Sequence, residues 1–127
     1  MQKSDRAIHK RLLAFMKQKL LEADIQRQCL DYLKLNKIFH FRQNTGMFLN
    51  KNDHYYRFGE LGCPDIICVM GGTFIGLEIK SENGRQSIHQ LDFQKRLEKA
   101  GGIYVIIRSL DDLINTFRVC KKHPFGD

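Results

Sequence analysis

Two carboxylates and an ammonium group stand close together near the middle of this chain, at Asp65, Glu78 and Lys80. They belong to the segment Asp65-Ile66-Ile67-Cys68-Val69-Met70, then Gly71-Gly72, then Thr73-Phe74-Ile75-Gly76-Leu77-Glu78-Ile79-Lys80. A Gly-Gly pair between two β-prone runs supplies the positive φ angles that a tight two-residue turn requires, which predicts a β-hairpin. Counting away from that turn, Met70 faces Thr73 and, in the same register, Asp65 faces Glu78. Directly opposed residues hold their Cβ atoms ~4.5–5.5 Å apart, so the two carboxylates could coordinate one cation between them. Without a cation, opposed like charges repel. Strand alternation puts Lys80 on the face of Glu78 and turns Leu77 and Ile79 to the other face.

A third acid follows from helical arithmetic. Over residues 5–35 the apolar residues recur at helical spacing, with Ile8, Leu12, Phe15 and Met16 followed by Ile25, Cys29, Leu30 and Leu33, which predicts one or two helices. At about 100° per residue Glu22 points along the mean direction of Ile25, Cys29, Leu30 and Leu33, and Asp24 points nearly the opposite way. An inward carboxylate needs a partner. A metal site at the sheet edge would supply one; a neighbouring lysine or the helix N-terminus is the alternative.

The remaining elements follow from local signals. Residues 38–43 predict a short strand with Phe39 and Phe41 on one face and His40 and Arg42 on the other. Residues 44–64 are polar and hold a small hairpin in which Met47 to Leu49 faces Tyr55 to Phe58 across Asn50, Lys51, Asn52 and Asp53. Ser87 with Gln90 three residues on forms a capping-box pattern that opens a helix running to about Ala100, and Gly101-Gly102 ends it. Residues 103–108 are a β-prone strand, and Ser109 caps a last helix carrying Leu110, Leu113, Ile114 and Phe117. A strand, a helix and a second strand in succession predict a parallel pair joined by a right-handed crossover. The expected fold class is α/β, with helices packed on a mixed sheet.

With 127 residues, 43% of them hydrophobic and 28% charged, the chain suits a single domain spanning 1–127 with a basic helical segment at 1–20 and a tail at 120–127. The longest uncharged stretch, Ile66 to Leu77, is too short and glycine-rich to cross a bilayer, and no signal-peptide pattern opens the chain. The expectation is a cytoplasmic protein, phage or bacterial and intracellular, with no membrane partner. Cys29, Cys63, Cys68 and Cys120 form no Cys-x-x-Cys pair, so buried reduced thiols are expected rather than a structural zinc site. The net charge of +7 is concentrated at the start, where Lys3, Arg6, Lys10, Arg11, Lys17 and Lys19 face the single acid Asp5. Such a segment can neutralise phosphates, although a solvated helix face has the same composition.

Pro64-Asp65 followed after a short hairpin by Glu78-Ile79-Lys80 resembles the PD-(D/E)xK nuclease superfamily. Gly62-Cys63-Pro64-Asp65, Gln90 with Phe93 three residues later, and Glu22-Ala23-Asp24-Ile25-Gln26 on the first helix strengthen the likeness. Together they look like the virus-type replication-repair nuclease (VRR-NUC) family, which includes short stand-alone phage and bacterial proteins. Arg42-Gln43-Asn44-Thr45-Gly46 resembles that family's Arg-x-Asn segment. The likeness runs from about Glu22 to Ile114. It implies a restriction-endonuclease-like αβββαβ core and a site in which Glu22, Asp65 and Glu78 bind Mg²⁺ or Mn²⁺ with the Ile79 carbonyl as a further ligand. Lys80 would position or activate water, although nearby carboxylates favour its protonated form and disfavour a general-base role.

Several residues keep two readings. Gln90 is either the capping-box partner of Ser87 or a polar group aimed at the site, and the family likeness favours the second. Arg42 and Asn44, with Lys10 and Arg11, are the candidate DNA contacts, while an exposed strand end and turn would explain the first two as well. His54, Tyr55, Tyr56 and Arg57 could contact unpaired bases or form a satisfied loop cluster. The leading expectation is a metal-dependent DNA endonuclease, structure-specific on branched DNA such as four-way junctions and acting as a homodimer. The competing expectations are a catalytically silent nucleic-acid-binding module, a nuclease without junction preference, and a metal hydrolase of small phosphate esters.

Overall fold

The computed structural model describes residues 3–44 and 46–122; Thr45 and the expected tail beyond residue 122 lie outside the described residues, as do the side chains of Phe15, Met16 and Cys120. The helical periodicity of the first third produces one continuous helix, α1 (Lys3–Leu35). Its second half buries Ile25, Cys29 and Leu33, one stripe at helical spacing, as expected. Ile8, Leu12 and Leu13, on the first half, stay exposed, so that part of the helix does not cover the protein's own core.

Four strands form the main sheet: β1 (Phe39–Arg42), β4 (Ile66–Met70), β5 (Thr73–Ile79) and β6 (Ile103–Ile107), in the order β1-β4-β5-β6. The expected hairpin joins β4 to β5 with Met70 opposite Thr73 and Ile66 opposite Leu77. Gly71 and Gly72 turn it with φ of 57° and 79°, the left-handed pair that a two-residue turn with matching twist demands. β5 and β6 are parallel and are joined through α2 (Ile88–Lys99), so the strand–helix–strand expectation holds. The capping box at Ser87 and Gln90 is formed, and Gly101, at φ 94°, closes the helix while its N–H and that of Gly102 donate to the carbonyls of Glu98 and Leu97. A last helix, α3 (Leu110–Lys122), begins where Ser109 Oγ accepts from the Asp112 N–H at 3.3 Å. Between β1 and β4 the chain makes a separate two-stranded ribbon, β2 (Gly46–Leu49) with β3 (Tyr55–Phe58). Setting the ribbon and α3 aside, the element order is αβββαβ.

Strand alternation divides the sheet into two faces. Ile66, Cys68, Ile75, Leu77, Ile79 and Ile107 meet Ile25, Cys29 and Leu33 of α1 and Leu113 and Phe117 of α3 in the core. The other face carries Gly76, Glu78 and Tyr104, and α2 lies there, with Phe93 and Tyr104 ring centroids 6.3 Å apart. The loop 59–65 threads between α2 and this face, and glycine makes its passage possible. At Gly76 an added Cβ would meet Pro64 Cγ, and at Gly62 one would overlap the His89 backbone carbonyl. Gly62 also sits at φ 78°. Gly62→Ala is therefore expected to cost ~2–4 kcal/mol, combining a left-handed alanine with overpacking against backbone. Gly72→Ala, at φ 79° with open space around it, should cost only ~1–2 kcal/mol. Urea unfolding of the two variants checks this ranking, and equal midpoints would mean that the loop does not press on α2 as described.

The cysteines behave as expected where they are described. Cys29 and Cys68 are buried, Cys63 is half-buried, and all three are free thiols. Burial pushes them up, to about 11 for Cys29 and Cys63 and about 12 for Cys68, which keeps them protonated. Among the described residues no helix is long and apolar enough to cross a membrane.

Candidate active site

The start of β4, the end of β5 and the middle of α1 meet at one end of the sheet. They enclose a cavity of about 280 Å³ lined by Glu22, Ala23, Gln26, Asp65, Glu78, Ile79 and Lys80. Asp65 immediately precedes β4 in a register that continues to Glu78, and its Oδ2 accepts from the Ile79 N–H at 2.8 Å. This bond pins the carboxylate of one strand to the backbone of the next.

Glu78 is the most confined of these groups. Its side chain is 5% exposed, its Oε1 lies 3.7 Å from Lys80 Nζ and accepts from Gln90 Nε2 at 2.7 Å, and its Oε2 is buried with no donor. Burial first, and the neighbouring Asp65 second, push the Glu78 carboxyl up to about 8. Asp65 is raised as well, chiefly by burial, although the Ile79 N–H and Lys80 oppose the shift. Two carboxylates cannot hydrogen-bond each other when both are ionised. A proton on Glu78 makes Asp65 its acceptor, and a cation between them would remove the need for that proton.

Gln90 resolves its two readings by satisfying both. Its Oε1 accepts from the Ser87 N–H at 2.9 Å, completing the capping box, while its Nε2 donates to Glu78. The cap therefore decides which end of the amide faces the site: the backbone N–H of residue 87 takes the oxygen and leaves the NH₂ for the carboxylate. A helix start on α2 thus orients an acid on β5.

Glu22 reaches the cavity from α1 as the helical phase predicts, and its Oε1 accepts from the Ser81 N–H at 2.9 Å. Asp24 turns outward to pair with Arg27 at 2.9 Å. The partner of Glu22 is thus a backbone donor, neither a lysine nor a helix terminus. No three His, Cys, Asp or Glu side chains among the described residues stand close enough to hold a metal ion as they are. What the site offers is the Asp65–Glu78 pair, with Glu22 on the opposite wall held by Ser81.

The candidate nucleic-acid contacts divide. Arg42 ends β1 opposite Ile66, so its side chain leaves the strand on the face away from Asp65 and Glu78, while the adjacent Gln43 N–H donates to the Asp65 carbonyl at 2.8 Å and Asn44, next along, is exposed. Lys10 and Arg11 are exposed on α1, separated from Glu22 by roughly 15–20 Å of helix. The fold does not gather them into the cavity.

Two residues of the site carry no sequence-based assignment of their own. Gln26 lines the cavity one helical turn beyond Glu22, and its i+4 spacing was a usable signal. Arg108, just after β6, donates through Nη1 to the carbonyls of Ser81, Glu82 and Gly84 at 2.6, 3.2 and 2.8 Å. It gathers the turn whose Ser81 N–H holds Glu22. No local pattern marks it, because its partners lie in a distant loop. No family model matches the chain, and no curated protein matches it.

Proposed function

We propose that this protein is a Mg²⁺- or Mn²⁺-dependent endodeoxyribonuclease of the VRR-NUC type, a phosphodiester hydrolase acting on DNA. The observation that carries this reading is the Glu78 carboxyl, buried against Asp65 with one oxygen lacking any donor. A fold keeps such a pair at a cost unless something positively charged completes it. The donors are oxygens, the preference of hard cations, and the cavity beside them has room for hydrated ligands.

Asp65 and Glu78 would hold the cation, with Glu22 and the Ile79 carbonyl as further oxygen donors. Bound there, the cation would lower the pKa of a water and offset charge growing on the phosphoryl oxygens. Lys80, its Nζ 3.7 Å from Glu78 Oε1, would supply a positive donor to the reacting phosphate. Gln90 holds Glu78 in place, and the exposed Arg42 and Asn44, at the sheet edge, would take phosphates on either side of the cut. Lys10 and Arg11 extend the basic surface along α1.

The finer reading is cleavage of branched DNA by a homodimer. Two-fold pairing presents two equivalent sites to a junction that can adopt the same symmetry. The exposed Ile8, Leu12 and Leu13 supply apolar surface for such pairing. A catalytically silent binding module is the second reading, favoured by the existing bonds from Ser81 to Glu22 and from Ile79 to Asp65.

The deciding experiment incubates the protein with linear duplex, flap and four-way DNA in Mg²⁺, in Mn²⁺ and in chelator. Cation-dependent cutting of any substrate supports the nuclease, and preference for the four-way form supports the finer reading. Binding without cutting in every condition supports the silent module.

Glu22 and Asp24 provide a control for the third acid. Glu22→Gln keeps an acceptor for the Ser81 N–H and removes only charge, so cation-dependent cleavage should fall roughly 10–100-fold. Asp24→Asn loses an exposed ion pair and should stay within about twofold. Rates measured across a cation titration check the ranking.

A further inference from the structure

The ribbon β2–β3 packs against no other helix or strand among the described residues. An isolated two-stranded ribbon is marginal in water, and a ligand packed on it would supply the apolar cover that it lacks. One of its faces pairs Leu49 with Tyr55 and Met47 with Arg57. Tyr55 is 71% exposed, Met47 55% and Leu49 52%. Of the expected loop cluster, the His54 N–H donates to Asn50 Oδ1 at 2.8 Å and Arg57 Nη2 reaches Met47 Sδ at 4.0 Å, while the Tyr55 ring stays exposed.

A further pair of exposed rings lies on β1, the strand that precedes the ribbon in the chain. Phe39 and Phe41 lie on the edge strand β1, 66% and 45% exposed, with ring centroids 6.3 Å apart. Phe39 is opposite Val69 and Phe41 opposite Ile67. Strand alternation puts Ile67 and Val69 on the face of Asp65, so both phenylalanines share the face of the acids. Phe41 is a diagonal neighbour of Asp65, ~7–8 Å away across the pair. The Gln43 N–H bond to the Asp65 carbonyl ties the end of β1 to the same point.

We propose that Phe39 and Phe41, on the face of the acid pair, act together with the exposed Tyr55 face of the ribbon as a stacking platform for unpaired nucleic-acid bases. This rests on the nuclease reading and names its substrate class: DNA with a single-stranded stretch adjoining the phosphodiester that is cut. Every base has an apolar π-face, which suits exposed rings interleaved with aliphatic side chains. The ribbon's few charges, Lys51 and Arg57 against Asp53, suit a base platform better than a phosphate-tracking groove. The chain's net charge of +7 supplies the general attraction.

The test measures binding in chelator, where cleavage is absent, using the full chain with labelled single-stranded oligothymidylate and with a blunt duplex of equal length. Tyr55→Ala and Phe41→Ala are expected to weaken single-strand binding about fivefold to a hundredfold each while leaving duplex binding unchanged. Tyr55→Phe should retain it. A 2-aminopurine in the strand should be quenched by the parent chain and less so by both alanine variants, a signature of stacking that a change in folding or charge does not mimic. Unchanged single-strand binding, or equal loss on duplex and single strand, overturns the platform. So does conversion of a dimer to a monomer by Tyr55→Ala in light scattering, which would make the ribbon an interface between copies. Because binding is read without cleavage, failure of the platform and failure of the nuclease reading give different results.

Discussion

Asp65→Asn and Glu78→Gln will each lower Mg²⁺-dependent phosphodiester cleavage by roughly 10²–10³-fold or more while leaving most of the DNA affinity in place. Both exchanges are close to isosteric. Asparagine at residue 65 still offers an oxygen to the Ile79 N–H, and glutamine at residue 78 still offers one to Gln90 Nε2. The fold should survive, and what disappears is the negative charge that would hold a cation. Lys80→Ala should lose turnover to a similar degree while keeping cation binding, since in the proposed mechanism Lys80 would supply charge to the phosphate and not a ligand to the metal. Single-turnover cleavage paired with calorimetric cation titration separates the roles. Full activity in both acid variants would remove the site, and loss of cation affinity in Lys80→Ala would reassign that residue.

Stability without a cation should fall as pH rises from the ordinary glutamate range to about 8. The Glu78 carboxyl is pushed up to about 8 in the folded protein by burial and by Asp65, so between its unfolded value and that pH the native state binds more protons than the unfolded state. Under that condition the unfolding free energy decreases with pH. The stabilising share from this proton is fully present below the unfolded value and lost as pH passes the folded one. Glu78→Gln mimics the protonated acid, since its amide can donate toward Asp65. In chelator it should flatten the profile and raise the melting temperature by several degrees above pH 8. Adding Mg²⁺ or Mn²⁺ should restore stability at high pH to the parent and do little for the variant. Thermal unfolding across pH, with and without cation, checks both halves. A parent profile that rises with pH in chelator would show that the acids are already neutralised by the protein itself.

Much of this arrangement was legible before the fold because the signals are local. The Gly71-Gly72 turn, the 3.6-residue phase of α1 and the Ser87-Gln90 cap depend on residues within a few positions of one another. Periodicity two in a hairpin leaves one register once the turn is known, which is why Asp65 opposite Glu78 could be counted out. The same helical phase separated Glu22 from Asp24. From the sequence alone came the α/β class, the element order and the residues to suspect.

What those residues do to one another was decided only in three dimensions. That Gln90 both caps α2 and holds Glu78 depends on where the helix lands on the sheet, a packing outcome with no local code. Arg108 reaches the turn at residues 81–84 because β6 lies parallel beside β5, and Glu22 meets Ser81 instead of a lysine for the same kind of reason. That the ribbon packs against no other helix or strand among the described residues is likewise a tertiary fact. Its strands could be read from alternation, but whether Tyr55 is covered depends on what the rest of the chain leaves against it. Short-range geometry is set by backbone sterics and periodicity, whereas burial, hydrogen-bond partners and the raised carboxyl of Glu78 are properties of the packed whole.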